Sequence, residues 1–270
     1  MECNIKDITI NYKIVGEGKP MVMLHGYSID HRVLSGCMEP ILCEIDGFKR
    51  IYFDLPGMGN STTSDSVTNS DVMLDIVIEF INMVIPNDNF LIAAESYGGY
   101  LARGLVYKMA SRVDGILMIC PVIIAERDKR NIPEQIMIKK DEEILMTLSP
   151  EEAKDFNSSI ILQNKKTFNR YNKEVKPGLD IANKEFIHKF QTTGYAYSFD
   201  VDKINIQFDK PTLILLGRQD SVVGFKDALS IIDNYSRGTF AILDNSGHNL
   251  QIEQEDQFKC LVKEWINRID

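Results

Sequence analysis

The chain has 270 residues and a formal charge of -9, with 44% hydrophobic and 26% charged residues. These proportions belong to ordinary globular proteins and exclude disordered or collagen-like chains, and a chain this long holds a core without disulfides or metal. The acidic balance excludes a nucleic-acid partner, because a phosphate backbone calls for a basic footprint.

The first 120 residues alternate short apolar runs with amphipathic stretches. Ile8–Val15 alternates as a strand and ends in the turn Gly16-Glu17-Gly18. Pro20–Leu24 is a continuous apolar run, as expected of a buried parallel strand. The loop His25–Asp30 leads into a helix over His31–Glu44, and Lys49–Phe53 reads as the next strand. Ser70 and Asp71 have the character of an N-cap, and Met73, Leu74, Val77, Ile78 and Ile81 recur at helical spacing up to Pro86. Asn89–Ala94 is predicted as a strand, Tyr97–Ser111 as a helix and Val113–Cys120 as a strand. The pattern resumes with strand Thr212–Leu216, helix Phe225–Tyr235, strand Thr239–Leu243 and a helix from Leu250 to Ile269.

Alternation at this pace implies βαβ crossovers, hence a mainly parallel β-sheet with helices on both faces. Between the two halves the chain is Lys-, Glu- and Asn-rich and helix-like. The expected organisation is therefore an α/β core made of residues 1–121 and 209–270, with residues 122–208 forming a helical cap. The cysteines Cys3, Cys37, Cys43, Cys120 and Cys260 show no paired or metal-ligand spacing, so free thiols and no metal site are expected. No basic segment followed by an apolar stretch marks a secretory signal. The most apolar run, Gly115–Ala125, contains Pro121 and falls short of the about 20 residues of a membrane span. A cytoplasmic protein with no membrane partner is the expectation.

Gly16-Glu17-Gly18-Lys19 lacks the spacing and the Ser/Thr of a phosphate-binding loop, and Gly57-Met58-Gly59 lacks the third glycine of a dinucleotide fingerprint. Both read as turns. The segment that carries chemistry is Leu91–Gly99, where an apolar strand runs into Ser96, flanked two positions away by the small residues Ala94 and Gly98, and a helix begins at once. A strand–turn–helix of this kind holds a serine hydroxyl at the carboxyl end of a sheet, and its sharpness demands small flanks. A hydroxyl becomes a nucleophile only with a base that is itself oriented by an acid. Of His25, His31, His188 and His248, the last lies in the loop after the final strand, and Asp220 lies in the loop after the strand before it. Parallel strands present their carboxyl ends at one edge, so Ser96, Asp220 and His248 are expected to meet there.

With the order Ser96, Asp220, His248, the chain resembles a capped member of the α/β-hydrolase superfamily over nearly its whole length. His25-Gly26-Tyr27, Asp54-Leu-Pro-Gly57-Met-Gly59-Asn-Ser61, Glu95-Ser96-Tyr97-Gly98-Gly99 and Gly247-His248 carry the resemblance. It implies an oxyanion hole formed by the backbone N–H groups of Tyr27 and Tyr97, with Gly26 letting the backbone come close, His25 tying its loop together and Asp54 fixing a loop. It also implies a serine hydrolase of the carboxylesterase type that cleaves a small-molecule ester or thioester through an acyl-enzyme, without metal or organic cofactor. Proline-trimming peptidases and C–C bond hydrolases use the same apparatus, and non-catalytic small-molecule receptors share the fold. Peptidases of that type hold the substrate amine with acidic cap residues; Glu134, Glu142, Glu143, Glu151 and Glu152 are present here but read first as a solvated helical surface.

Overall fold

The computed structural model describes residues 1–204 and 207–269. The strands are β1 (Glu2–Ile5), β2 (Ile8–Val15), β3 (Lys19–Leu24), β4 (Phe48–Phe53), β5 (Phe90–Glu95), β6 (Val113–Ile119), β7 (Thr212–Gly217) and β8 (Gly238–Leu243). They form one sheet in the order β1-β2-β4-β3-β5-β6-β7-β8. Only β1 and β2 run antiparallel to their neighbours. The reason is visible in the side chains: β5 and β7 are buried along their whole length and mostly apolar, which suits a sheet covered on both faces.

The covering helices of the core are α1 (Arg32–Leu42), α2 (Ser70–Val84) and α3 (Tyr97–Met109). Between β6 and β7 the chain adds α4 (Glu142–Leu145), α5 (Pro150–Ser159), α6 (Lys165–Glu174), α7 (Lys176–Ile181) and α8 (Lys184–Thr193), and α9 (Leu250–Glu253) and α10 (Glu255–Asn267) follow β8. Helices α1 and α10 pack together on one face, α1 against β4 and β5 and α10 against β7, while α2 and α3 pack together on the other. The expected α/β architecture is thus the observed one. Among the described residues, the stretch 122–208 adds no strand to the sheet; its α6 packs against α1 and α9, and its residues 205 and 206 lie outside the described residues.

Four local expectations are corrected. Strand β1 was not foreseen, because four residues alternating Glu-Cys-Asn-Ile are too few to show a period. The N-cap of α2 is Asn69, whose side chain accepts the Val72 N–H at 3.0 Å. Ser70 is already engaged by the Tyr97 hydroxyl and the Tyr195 carbonyl, and the Asp71 carboxylate accepts the Ser198 N–H. The segment predicted as helix Phe225–Tyr235 is a 3-10 helix over Asp227–Asn234. The terminal helix is interrupted at Gln254, separating α9 from α10, and the carboxylate of Glu253 beside the break serves the site instead.

Candidate active site

Strand β5 ends at Glu95 and α3 starts at Tyr97, so the whole reversal falls on Ser96, with φ 53° and ψ -115°. A positive φ at a residue with a side chain costs roughly 1–3 kcal/mol and persists only where the surroundings fix it. Here the Ser96 N–H donates to the Ile119 carbonyl at 2.9 Å and the Ser96 carbonyl accepts from Val122 at 3.0 Å. The flanks explain which residues fit. A Cβ at Gly98 would lie 2.0 Å from the Leu24 carbonyl oxygen, whereas Ala94, in register with Leu24 and Met118, is buried without conflict. The start of α3 therefore lies directly against the end of β3.

Three loops converge on this serine. His248, after β8, places Nε2 2.9 Å from Ser96 Oγ. Its Nδ1 is 2.9 Å from Oδ2 of Asp220, in the loop after β7. Oδ1 of Asp220 accepts the N–H groups of Val222 and Val223 at 2.8 and 3.0 Å, so the carboxylate is held on both oxygens. Burial works against the Asp220 charge, but His248 and these amides outweigh it and keep its carboxyl below the usual carboxylate range. An ionised Asp220 accepts a proton bond from Nδ1–H, which leaves Nε2 free to accept the Ser96 hydroxyl. Burial alone would lower the His248 pKa; Asp220, through its charge and hydrogen bond, and then Glu95 carry it up to about 9.

Gly26 comes against Ser96: a Cβ there would lie 3.1 Å from Ser96 Cβ and 2.1 Å from Oε2 of Glu95. The phenols of Tyr27 and Tyr97 are engaged elsewhere, donating to the Ile187 carbonyl and pairing with Ser70 Oγ, each at 2.7 Å. As the first residue of α3, Tyr97 has an N–H without an intrahelical partner, at the positive end of the helix dipole. His25 is fully buried, with Nδ1 donating to the Gly26 carbonyl at 2.7 Å and Nε2 accepting the Leu55 N–H at 2.9 Å. It joins the loops after β3 and β4, and burial holds its pKa down, in the neutral form those two bonds require. His31 bonds Asp54 at 2.7 Å, away from the serine, and Asp54 also accepts from Asn11 and Asn60.

The serine and the histidine open into a cavity of about 880 Å³ between the sheet edge and the inserted helices, walled by apolar residues such as Tyr27, Ile29, Val122, Leu179 and Tyr195. Glu134, Glu142, Glu143, Glu151 and Glu152 are all exposed and lie outside its lining, and Glu152 serves the N-cap of α5. The acidic residues that do line it are Glu95, Glu126 and Asp128.

Two buried carboxyls near the site were missed by sequence reasoning. Glu95 Oε1 lies 3.4 Å from His248 Nε2. Its signal was present, as an acidic residue closing an otherwise apolar strand. Glu253 accepts the N–H groups of Gly247 at 2.6 Å and of Ile161 at 2.7 Å, tying the histidine loop to the inserted helices. No pattern around Glu253 signals this, because it depends on a contact across 92 residues. Among the described residues two groups bring potential metal ligands together, Cys120–Asp220–His248 and Asp30–His31–Asp54. In the first, Asp220 and His248 bind each other; in the second, Asp30 pairs with Arg32 and Asp54 with His31. Among the described residues no helix is long and apolar enough to cross a membrane.

Residues 21–255 match the family described as serine aminopeptidase, S33. The chain belongs to this α/β-hydrolase family. A solved α/β superfamily hydrolase from Oenococcus oeni PSU-1 is 31% identical, with a TM-score of 0.88 over 99% of this chain and 98% of the other. The pimeloyl-[acyl-carrier protein] methyl ester esterase of Legionella pneumophila strain Paris is 24% identical over 93% of this chain and 96% of its own. The proline iminopeptidase of Saccharolobus solfataricus is 25% identical over 96% of this chain and 88% of its own. The chain is accordingly a hydrolase.

Proposed function

We propose that the chain is a serine hydrolase that cleaves a small carboxylic ester or thioester through an acyl-enzyme. The observation that carries this reading is the continuous relay Ser96 Oγ, His248 Nε2, His248 Nδ1 and Asp220 Oδ2, with both links at 2.9 Å, opening into the cavity. In the first half-reaction Ser96 Oγ attacks the acyl carbon while its proton passes to Nε2 of His248. Asp220 holds the ring tautomer and favours the imidazolium that forms. The tetrahedral oxyanion lies against the amides of Tyr27 and Tyr97, each worth about 3 kcal/mol of barrier. His248 then gives its proton to the leaving oxygen or sulfur and the bond to it breaks. In the second half-reaction His248 takes a proton from water, the resulting nucleophile attacks the acyl-serine, and Ser96 leaves with its proton restored.

An esterase among the relatives supports this substrate class. A peptidase reading draws on the S33 family name, the iminopeptidase relative and the acids Glu126 and Asp128 in the cavity wall, which suit a substrate amine. The deciding experiment compares p-nitrophenyl acetate and butyrate with prolyl-anilides, together with fluorophosphonate labelling of Ser96. Ester turnover with labelling lost in Ser96→Ala is the expected result. Preferential anilide cleavage would move the assignment to the peptidase, and neither turnover nor labelling would remove the enzyme reading and favour a receptor of this fold.

A further inference from the structure

Two carboxyl groups face the His248 ring, and the relay uses one of them. Nε2 of His248 is 2.9 Å from Ser96 Oγ and 3.4 Å from Glu95 Oε1, so two oxygens compete for one ring nitrogen. The other carboxyl oxygen of Glu95, Oε2, is buried with no hydrogen-bond partner among the described residues. Packing alone gives no reason for a carboxyl here, since Phe90–Ala94 of the same strand are all apolar, and burying an unpaired carboxylate is costly. Space is nevertheless kept for it at Gly26, where any Cβ would collide with Oε2.

We propose that Glu95, when ionised, is a second carboxyl partner of His248 that draws the Nε2 proton of the imidazolium away from Ser96 and holds the base in a protonated resting form. The inference rests on His248 being the general base and adds a residue that sets when that base is available. An imidazolium has one proton on Nε2, and an anionic Glu95 offers it a charge-assisted acceptor beside the neutral hydroxyl. Loss of that proton to solvent releases the ring to Ser96.

Burial pushes the Glu95 carboxyl up to about 7, against the pull of His248, while His248 is carried up to about 9. The two titrate as a pair, each charged form favouring the other. The other groups that bear on the pair are Asp220 after β7, the Gly26 amide after β3, Cys120 after β6 and Cys37 on α1, with Tyr195 and Arg130 from the insertion. Asp220 raises both members and Arg130 lowers His248, but neither is removed by a change at Glu95.

The test is a titration of the His248 ring by NMR in histidine-labelled protein, alongside the pH profile of kcat/KM on p-nitrophenyl butyrate, for wild type, Glu95→Gln and Glu95→Leu. Removing the neighbouring negative charge should bring the His248 midpoint down by about one pH unit and raise kcat/KM at pH 7 about tenfold, with little change in the alkaline plateau. An unchanged or higher midpoint overturns the proposal. Wild type supplies a second reading should the variants not fold: its His248 signal should move in two steps, the first from Glu95, and a single step overturns the proposal. The ring titration needs no turnover, so an absence of ester hydrolysis counts against the hydrolase reading and leaves the Glu95–His248 coupling to be decided by NMR.

Discussion

The edge of the sheet and the inserted helices above it are built on different principles. Strand β5, which delivers Ser96, buries every residue it has, whereas α5 of the insertion buries only Phe156. The relay is thus set on a closely packed frame. The insertion is held by rings laid on the frame, Phe190 and Tyr195 against Tyr27 and Tyr97 and Tyr197 on Tyr100, and by particular polar contacts: Arg103 of α3 with Asp202, Glu253 with the amides at Ile161 and Leu162, and Arg170 with the Gln251 carbonyl.

The largest effects should come from the frame. Ser96→Ala and His248→Ala should each lower kcat for an ester on the order of 10⁶-fold, and the double variant should be scarcely worse, because members of a relay act as a unit. Asp220→Asn, which keeps the shape but presents the wrong partner to Nδ1, should cost about 10⁴-fold. Steady-state kinetics on p-nitrophenyl butyrate measures all four proteins, and losses that multiply in the double variant would show that the residues do not work together.

The matching change in the insertion is Phe156→Ala. Its ring packs on Phe168 and Tyr171 with centroids 5.1 and 5.4 Å away. Truncation should cost about 3–5 kcal/mol locally. Hydrogen exchange should show lost protection across α5 and α6, and KM should rise for longer acyl esters, because Ser158 and Ser159 of α5 line the cavity. Acetate turnover should be largely retained. An equal loss of kcat on acetate would mean that the insertion also positions the relay.

The frame also makes a statement about pH. His248 is raised in the folded state to about 9. A raised base contributes stability that is complete below its unfolded value of about 6.5 and is lost as pH rises through the folded value. Glu95, raised to about 7, adds the same sign over a lower window, since the folded state resists its ionisation. Thermal stability should therefore decline between about pH 6.5 and 9, on the order of 1–2 kcal/mol or a few °C. The decline should be mostly absent in the double variant His248→Ala/Glu95→Gln, since loss of His248 alone lets burial push the Glu95 carboxyl up further. A flat wild-type curve would show that the imidazole is not stabilised as a cation.

Much of the frame was legible because its signals are local and repeated. The apolar runs at Pro20–Leu24, Leu91–Ala94 and Thr212–Leu216 announce buried parallel strands, and parallel strands bring Ser96, Asp220 and His248 to one edge whatever lies between them. What was hidden depends on contacts far apart in the chain. Nothing local shows that Ser70 is taken by Tyr97 and leaves the N-cap to Asn69, or that the Glu253 carboxylate reaches Gly247 and Ile161 as the helix breaks. The insertion was legible only as polar and helical, since its short helices are started by N-capping residues such as Ser149 and Asn164 and show no long apolar period. The acidic residues on that surface stand out by number, while the insertion's acids in the cavity wall are Glu126 and Asp128, at and within the single 3-10 turn Arg127–Lys129 before α4.

The smallest effect is expected at the one departure from the common elbow pattern, Ala94. At Gly98, on the other side of the serine, a methyl group has no room because the backbone of Leu24 and His25 is already there. Ala94 meets no such wall; it sits in the strand, between Leu24 and Met118, where a methyl contributes to packing. Ala94→Gly should therefore bring no gain in activity from relieved strain. It should instead lose about 1 kcal/mol, through the greater freedom of glycine in the unfolded chain and the missing methyl. Chemical denaturation measures the loss, and kcat should stay close to wild type. A marked rise in kcat would show that the Ala94 methyl does strain the serine, and that the tight packing of this edge is working against the chemistry it supports.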